Sequence, residues 1–250
     1  MRTAIIPVGG TGRRMLPLTA TIPKPLLPVN MKAAVHYIVN ECVDSGVERI
    51  GLVTKYRAQD IIDYFTENKF PEFDDVDIDF IPQGDGWGMM DAICSAEDYI
   101  GGDDFSVLLA DDIIRSETPA LKQMEEVDRD GFVLGCERVP RSKVHRYGAV
   151  VPLEVRGRSF TVKKVVEKPE QDVGTDIVIS GRYQLKNSIF DIVETMGCLR
   201  PLSLTDVIAE SVNRGVTVSG CIFNGRRYDI GDPEGYSSAL VDSITEGWEH

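Results

Sequence analysis

The chain lacks several features that would place it in common classes. No apolar run approaches the ~20 residues of a bilayer-spanning helix, so none is expected. Its five cysteines (Cys42, Cys94, Cys136, Cys198 and Cys221) are odd in number, scattered and without a Cys-x-x-Cys pair. That pattern excludes a disulfide framework or zinc ribbon and suits buried, reduced thiols in a cytoplasmic protein. The three histidines, His36, His145 and His250, are too far apart in sequence to suggest a zinc site or a histidine base. One arginine and a brief apolar run without a small-residue cleavage site do not read as a signal peptide. The net charge of −13 argues against non-specific nucleic-acid binding.

A more local absence is the most informative. The first 40 residues contain Arg2, Arg13, Arg14, Lys24 and Lys32 but no Asp or Glu, leaving all 40 acids to the remainder. An acidic protein with one acid-free, cationic segment has the electrostatics of an anion site there. Within the segment, Val8-Gly-Gly-Thr-Gly-Arg-Arg-Met-Leu-Pro17 follows the apolar run Ala4–Pro7 and continues to Pro23-Lys-Pro-Leu-Leu-Pro-Val29. Glycines let bare N–H groups approach a ligand, and five prolines between Pro7 and Pro28 hold the backbone open rather than helical. A loop of N–H donors and cations after a buried first strand suits a chain of phosphates.

Two familiar phosphate loops are also absent. There is no Gly-Lys-Ser/Thr after a four-residue spacer, which excludes the Walker pattern. A dinucleotide fingerprint fails because Met15 stands at its third glycine, Pro17 interrupts any helix and the first acid is Glu41.

Along the rest of the chain, apolar runs alternate with amphipathic segments, predicting an α/β layered domain with a largely parallel sheet. Helices are expected over Lys32–Asp44, Ala58–Phe65, about Met90–Tyr99, Ser188–Met196 and about Leu204–Arg214. Strands are expected at Arg49–Thr54, Val76–Ile81 (near an edge), Phe105–Ala110, Gly131–Arg138, Val162–Val166, Ile177–Leu185 and around Thr217–Phe223. With 250 residues, one domain is the default. A second glycine-rich loop, Gln83-Gly-Asp-Gly-Trp-Gly88, could lie against a flat base, with Gln83 offering its amide. Asp111-Asp112 stands at the carboxyl end of a strand, where α/β sheets bind ligands and where a carboxylate suits Mg²⁺.

The run Gly-Gly-x-Gly-Arg-Arg-x-x-Pro-x-Thr followed by Pro-Lys-Pro-x-x-Pro-Val resembles the sugar-1-phosphate nucleotidyltransferases, with the bacterial-type UTP–glucose-1-phosphate uridylyltransferases the nearest likeness. Val39-Asn-Glu-Cys42, Gly46–Thr54, Tyr147-Gly-Ala-Val-Val151, Glu167-Lys168-Pro169, Gly181-Arg-Tyr-x-Leu185, Leu204-Thr-Asp206 and Tyr228-Asp-Ile-Gly-Asp-Pro-Glu-Gly-Tyr236 extend the resemblance along nearly the whole chain. It implies a Rossmann-like (GT-A-like) layered fold with a mixed, mostly parallel sheet. Its nucleotide-binding half would cover about 1–130 and its sugar-binding half about 131–250. Two stretches depart from the family pattern: Met89-Met90-Asp91 replaces Leu-Gly-His beside the base, and Arg200-Pro-Leu-Ser203 replaces Asp-Glu-Ile-Gln beside the sugar.

The implied reaction joins an NTP, foremost UTP, to a sugar 1-phosphate, foremost glucose 1-phosphate, with release of pyrophosphate. Thymidylyl or guanylyl transfer to another sugar and a non-catalytic nucleotide-sugar-binding protein are the alternatives. By resemblance, Gly9, Gly10, Thr11, Gly12 and Arg13, with Arg14, would bind the triphosphate, and Gln83 and Gly88 the base. Lys24 would neutralise the α-phosphate, and Lys168 would hold the sugar phosphate beside Tyr147, Gly148 and Glu167. Asp111 and Asp229 would bind Mg²⁺. No nucleic acid or membrane is expected as a partner, and the family reading admits a homo-oligomer.

Overall fold

The computed structural model describes residues 1–86, 88–127, 130–197 and 202–248. Its strands are β1 (Thr3–Pro7), β2 (Pro28–Val29), β3 (Lys32–Ala33), β4 (Arg49–Thr54), β5 (Asp77–Pro82), β6 (Phe105–Leu108), β7 (Asp112–Arg115), β8 (Phe132–Arg138), β9 (Gly148–Arg156), β10 (Ser159–Glu167), β11 (Ile177–Leu185), β12 (Val218–Ile222) and β13 (Arg226–Asp229). The helices are α1 (Ala34–Asp44), α2 (Ala58–Thr66), α3 (Met89–Cys94), α4 (Glu97–Ile100), α5 (Ala120–Met124), α6 (Ile189–Met196), α7 (Leu204–Asn213) and α8 (Pro233–Thr245). Among the described residues, no helix is long and apolar enough to cross a membrane.

Nine strands form one sheet in the order β5-β4-β1-β6-β11-β8-β12-β10-β9. The sheet is mixed. β5, β4, β1 and β6 run parallel to one another, as does β12 to β8. β11 lies antiparallel to β6 and β8, and β10 to β12 and β9.

The sequence explains the layers. β1 buries both faces, as a central parallel strand must: Ala4 and Ile6 belong to one apolar cluster, Ile5 to the other. The first cluster gathers Val35, Ile38, Val39 and Cys42 of α1 with Ile50 and Leu52 of β4. The second gathers Phe105 and Val107 with Ile189 of α6 and Val207 and Ile208 of α7. β5 is an edge strand, and its alternation of acids and apolar residues fits one wet and one packed face.

Three local expectations are corrected. The helix expected over Met90–Tyr99 is two short ones, α3 and α4. Between them the Ser95 hydroxyl donates to Asp91 O at 2.8 Å and accepts from Gly84 N–H at 3.1 Å, tying the break to the second glycine loop. The proline-rich segment is not uniformly open; it makes single 3₁₀ turns at Arg13–Met15, Leu18–Ala20 and Lys24–Leu26. Finally, Asp112 does not merely end a strand. It starts β7, which forms a separate two-stranded ribbon with β13.

The thiols match the sequence reading in being unbridged: Cys42, Cys136 and Cys221 are buried and Cys94 partly so, while Cys198 lies outside the described residues.

Candidate active site

The parallel strands all point their carboxyl ends to one side of the sheet, where α/β folds bind ligands. A cleft of about 560 Å³ opens there. Gly9, Gly10, Arg14 and Lys24 line it from the loop after β1, Gln83 and Gly88 from the loop after β5, and Asp111 and Asp112 from the turn after β6. The opposite wall carries Tyr147, Gly148, Glu167 and Lys168, and the ribbon adds Arg227 and Asp229.

Thr11, Gly12 and Arg13 do not line the cleft. Gly12 sits behind it with φ +66°, and its carbonyl accepts a 2.8 Å hydrogen bond from the Thr19 hydroxyl. A Cβ there would meet Thr19 Cγ2 at 2.7 Å and Lys24 Cβ at 3.1 Å. Gly12 therefore lets the loop fold back so that Lys24 reaches the cleft. Gln83 spends its amide nitrogen on its own loop, donating to Gly86 O at 3.1 Å and Gly88 O at 3.4 Å.

Asp111 and Asp229, far apart in sequence, meet at Gly231. A Cβ on Gly231 would lie 2.8 Å from Asp111 Oδ2, 2.8 Å from Asp229 Oδ1 and 3.0 Å from Arg14 Nη2. The backbone fixes this arrangement: Ile230 N–H donates to Asp111 O at 2.8 Å, and Gly231 N–H to Asp229 Oδ1 at 3.0 Å. Lys24 Nζ donates to Asp111 Oδ2 at 2.5 Å. Burial disfavours the Asp111 carboxylate, but Lys24 and Arg14 outweigh it and hold the group below its ordinary range.

Its neighbour Asp112 behaves in the opposite way. Burial pushes it up to about 7 against the pull of Arg227, with the charges of Asp111 and Asp229 adding to the rise. Asp112 Oδ1 accepts from Arg227 Nη1 at 2.6 Å, and Arg227 also pairs with Glu137. The same guanidinium lies 4.6 Å from the centre of the Tyr147 ring, a cation–π distance. Sequence reasoning missed Arg227, although Arg227-x-Asp229 at strand spacing puts both side chains on one face.

On the opposite wall, Lys168 has φ +40°, a region a lysine rarely adopts. Its N–H donates to Tyr147 O at 3.0 Å, and its ammonium lies 3.1 Å from Glu167 Oε1. Arg146, also missed, lines the cleft while paired with Asp232, the residue that caps α8 through Gly235 N–H at 3.0 Å. The two divergent stretches both border the cleft: Met89 lines it and Met90 is buried, and Leu202 and Ser203 also line it. Arg200 and Pro201 lie outside the described residues.

Chemically, the cleft offers cations for phosphates and two convergent carboxylates for a hard divalent cation. Among the described residues, no cluster of three or more His, Cys, Asp or Glu side chains could hold a metal alone. Two carboxylates nevertheless fit a small cation that takes its remaining ligands from water and substrate phosphates.

Comparison with known proteins gives the chain a family. Residues 3–246 match the model of the family described as Nucleotidyl transferase. The chain is 38% identical to a UTP–glucose-1-phosphate uridylyltransferase of Staphylococcus haemolyticus, covering 97% of this chain and 92% of the relative. The protein of the same name from Staphylococcus epidermidis is 36% identical over the same shares. Among solved structures, a UDP-glucose pyrophosphorylase complexed with UDP-glucose superposes with a TM-score of 0.91 at 28% identity, covering 98% of this chain and 99% of that one. A UTP-bound UGPase from Acinetobacter baumannii gives 0.86 at 27% identity, covering 100% and 94%. With the match running almost end to end, the chain belongs to the nucleotidyl transferase family.

Proposed function

We propose that the protein transfers a uridylyl group from UTP to glucose 1-phosphate, forming UDP-glucose and pyrophosphate. The observation that carries this reading is the convergence of Asp111, Asp229 and Arg14 around Gly231, with Lys24 already on Asp111. The names of the relatives support the choice of substrates.

An oxygen of the sugar phosphate attacks the α-phosphorus of UTP, and the bond from that phosphorus to the pyrophosphate oxygen breaks. No protein nucleophile is required. The barrier is dominated by bringing two anions together and by charge building on the leaving pyrophosphate. The N–H groups of Gly9 and Gly10 and the guanidinium of Arg14 bind the triphosphate. Lys24 turns from Asp111 towards the α-phosphate, and Lys168 holds the attacking phosphate in line. Glu167 and Tyr147 flank the sugar. Asp111 and Asp229 would hold Mg²⁺, which when bound supplies charge neutralisation between the two phosphates.

The test is pyrophosphate release from a matrix of NTPs and sugar 1-phosphates, with Mg²⁺ and with EDTA. Release is expected with UTP and glucose 1-phosphate and should vanish in EDTA. Release only with another pair would move the specificity to the loops at Met89–Asp91 and Leu202–Ser203. No release with any pair would overturn the catalytic reading.

A further inference from the structure

Two sequence motifs supply no group to the reaction as described above: Asn40-Glu41-Cys42 on α1, and Gly181-Arg182-Tyr183 on β11, of which Gly181 and Tyr183 line the cleft but Arg182 does not. The structure joins them. Arg182 is fully buried in the middle of the sheet, on a strand whose every residue is buried. Its Nε lies 3.0 and 3.1 Å from the two carboxylate oxygens of Glu41, and its Nη2 donates to Glu41 Oε2 at 2.7 Å. The pair is costly to maintain, since taking two charges out of water offsets much of their attraction. A leucine or methionine in place of Arg182 would serve packing alone.

The same Nη2 also donates to the carbonyl of Asp112 at 2.7 Å. That carbonyl belongs to the turn carrying Asp111, and the turn is held from outside along its length. Leu109 N–H donates to Gly181 O at 2.9 Å, Arg182 takes Asp112 O, and Ile230 N–H takes Asp111 O at 2.8 Å. Gly181 O also accepts from Arg182 Nη1 at 3.1 Å, so the two strand residues that hold the turn are tied to each other. Asp112 is the register partner of Asp229. A shift of this turn therefore moves both carboxylates.

We infer that Glu41 and Arg182 act as a positioning pair that sets the spacing of Asp111 and Asp229 for a divalent cation. The inference rests on the reading that these two carboxylates bind the cation. Neither Glu41 nor Arg182 lines the cleft. Arg182 acts through the Asp112 carbonyl, and Glu41 acts through Arg182. The fork geometry is essential, because the guanidinium must serve a carboxylate and a carbonyl at once.

The probe is Mn²⁺, titrated by electron paramagnetic resonance into protein saturated with UDP-glucose. Glu41→Gln combined with Arg182→Met removes the clamp without leaving an unpaired carboxylate. The new amide oxygen can still accept the Leu121 N–H that Glu41 accepts at 3.3 Å. The Mn²⁺ affinity of this double variant should fall about 10- to 100-fold, the usual cost of losing a residue that orients metal ligands. UDP-glucose affinity in EDTA should stay within about twofold, because no contact to the nucleotide sugar is removed. Arg182→Lys keeps the charge opposite Glu41 but loses the fork, so it should show a smaller Mn²⁺ defect and serves if the double variant does not fold.

Asp111→Asn distinguishes the cation site from the clamp behind it. If it retains full Mn²⁺ affinity, the cation site itself is wrong. If it loses that affinity while a folded clamp variant keeps it, the positioning role is overturned. Equal losses of Mn²⁺ and UDP-glucose affinity in the clamp variants would reduce the pair to a structural one and also overturn it.

Discussion

The two sides of the sheet build the cleft by different means. On the parallel side, β5, β4, β1 and β6 end together, and the segments leaving their ends make the wall: the Gly9–Gly10 loop, the Gln83–Gly88 loop and the Asp111 turn. On the antiparallel side, single side chains do the work, each set by a partner elsewhere. Lys168 is aimed by an unusual φ, and Tyr147 lies under Arg227. Parallel topology thus gathers binding groups by default, whereas the antiparallel wall must be assembled contact by contact.

Substitutions can sharpen or break this contrast. The largest effect is expected on the parallel side. Lys24→Ala and Asp111→Asn should each lower kcat by about a thousandfold or more, as loss of charge complementarity to a phosphoryl transition state does. Pyrophosphate release measures the loss, and an unchanged circular dichroism spectrum would show that the fold survives. Near-normal turnover in either variant would remove the chemistry from that side.

Lys168→Ala on the antiparallel side should act more selectively. The KM for the sugar phosphate should rise about 10- to 100-fold with the KM for UTP little changed, as expected when ground-state binding of one substrate is lost. Equal weakening of both substrates would erase the division of labour.

The smallest effect concerns stability within the parallel side, away from the cleft. His36 is fully buried, bonded to Tyr64 Oη at 3.1 Å and Glu72 Oε1 at 3.0 Å, with Phe70 and Phe73 against its ring. Burial, aided by Lys32, lowers its pKa to about 4 despite Glu72. The unfolded chain, at an ordinary pKa of about 6.5, therefore binds this proton first as pH falls. His36 contributes fully above that value and loses about 3 kcal/mol of stability as pH drops from about 6.5 through about 4. Urea unfolding of wild type and His36→Gln across this window checks it; the variant should show a flatter profile. Glu72, held at about 2 in the folded protein first by its own backbone N–H, adds a separate loss that begins only near the ordinary carboxylate value, at the acid end of this window.

How much was legible follows the same divide. β1, β4, β6 and the loops after them could be read because buried parallel strands are continuous apolar runs and their loops are rich in glycine. The cationic, acid-free segment pointed to Arg14 and Lys24 for the same reason: charge composition is a property of sequence. Arg227 could not be read this way. Strand spacing puts it on the face of Asp229, but its pairing with Asp112 depends on β13 lying beside β7, a contact between segments far apart that no local pattern encodes. Arg182 looked like part of a strand motif, and only the burial of β11 reveals a charge where an apolar residue was due. Arg13, read as a phosphate contact from the motif, does not line the cleft while Arg14 does, because the 3₁₀ turn over Arg13–Met15 separates consecutive residues by about 120°; Thr11, before that turn, does not line it either.

The ribbon of β7 and β13 also bears on how this site can change over evolutionary time. Its register pairs Asp112 with Asp229 across only four residues per strand. Strand side chains alternate faces, so losing or gaining one residue between Asn224 and Tyr228 would exchange the faces of Arg227 and Tyr228. It would also carry Asp229 away from Asp111. Such an indel alters no chemically essential residue, yet it would disable the centre as completely as replacing an aspartate. The tether before β13 is therefore held to a fixed count, as is the tight turn at Gly157–Arg158 that sets the register of β9 against β10.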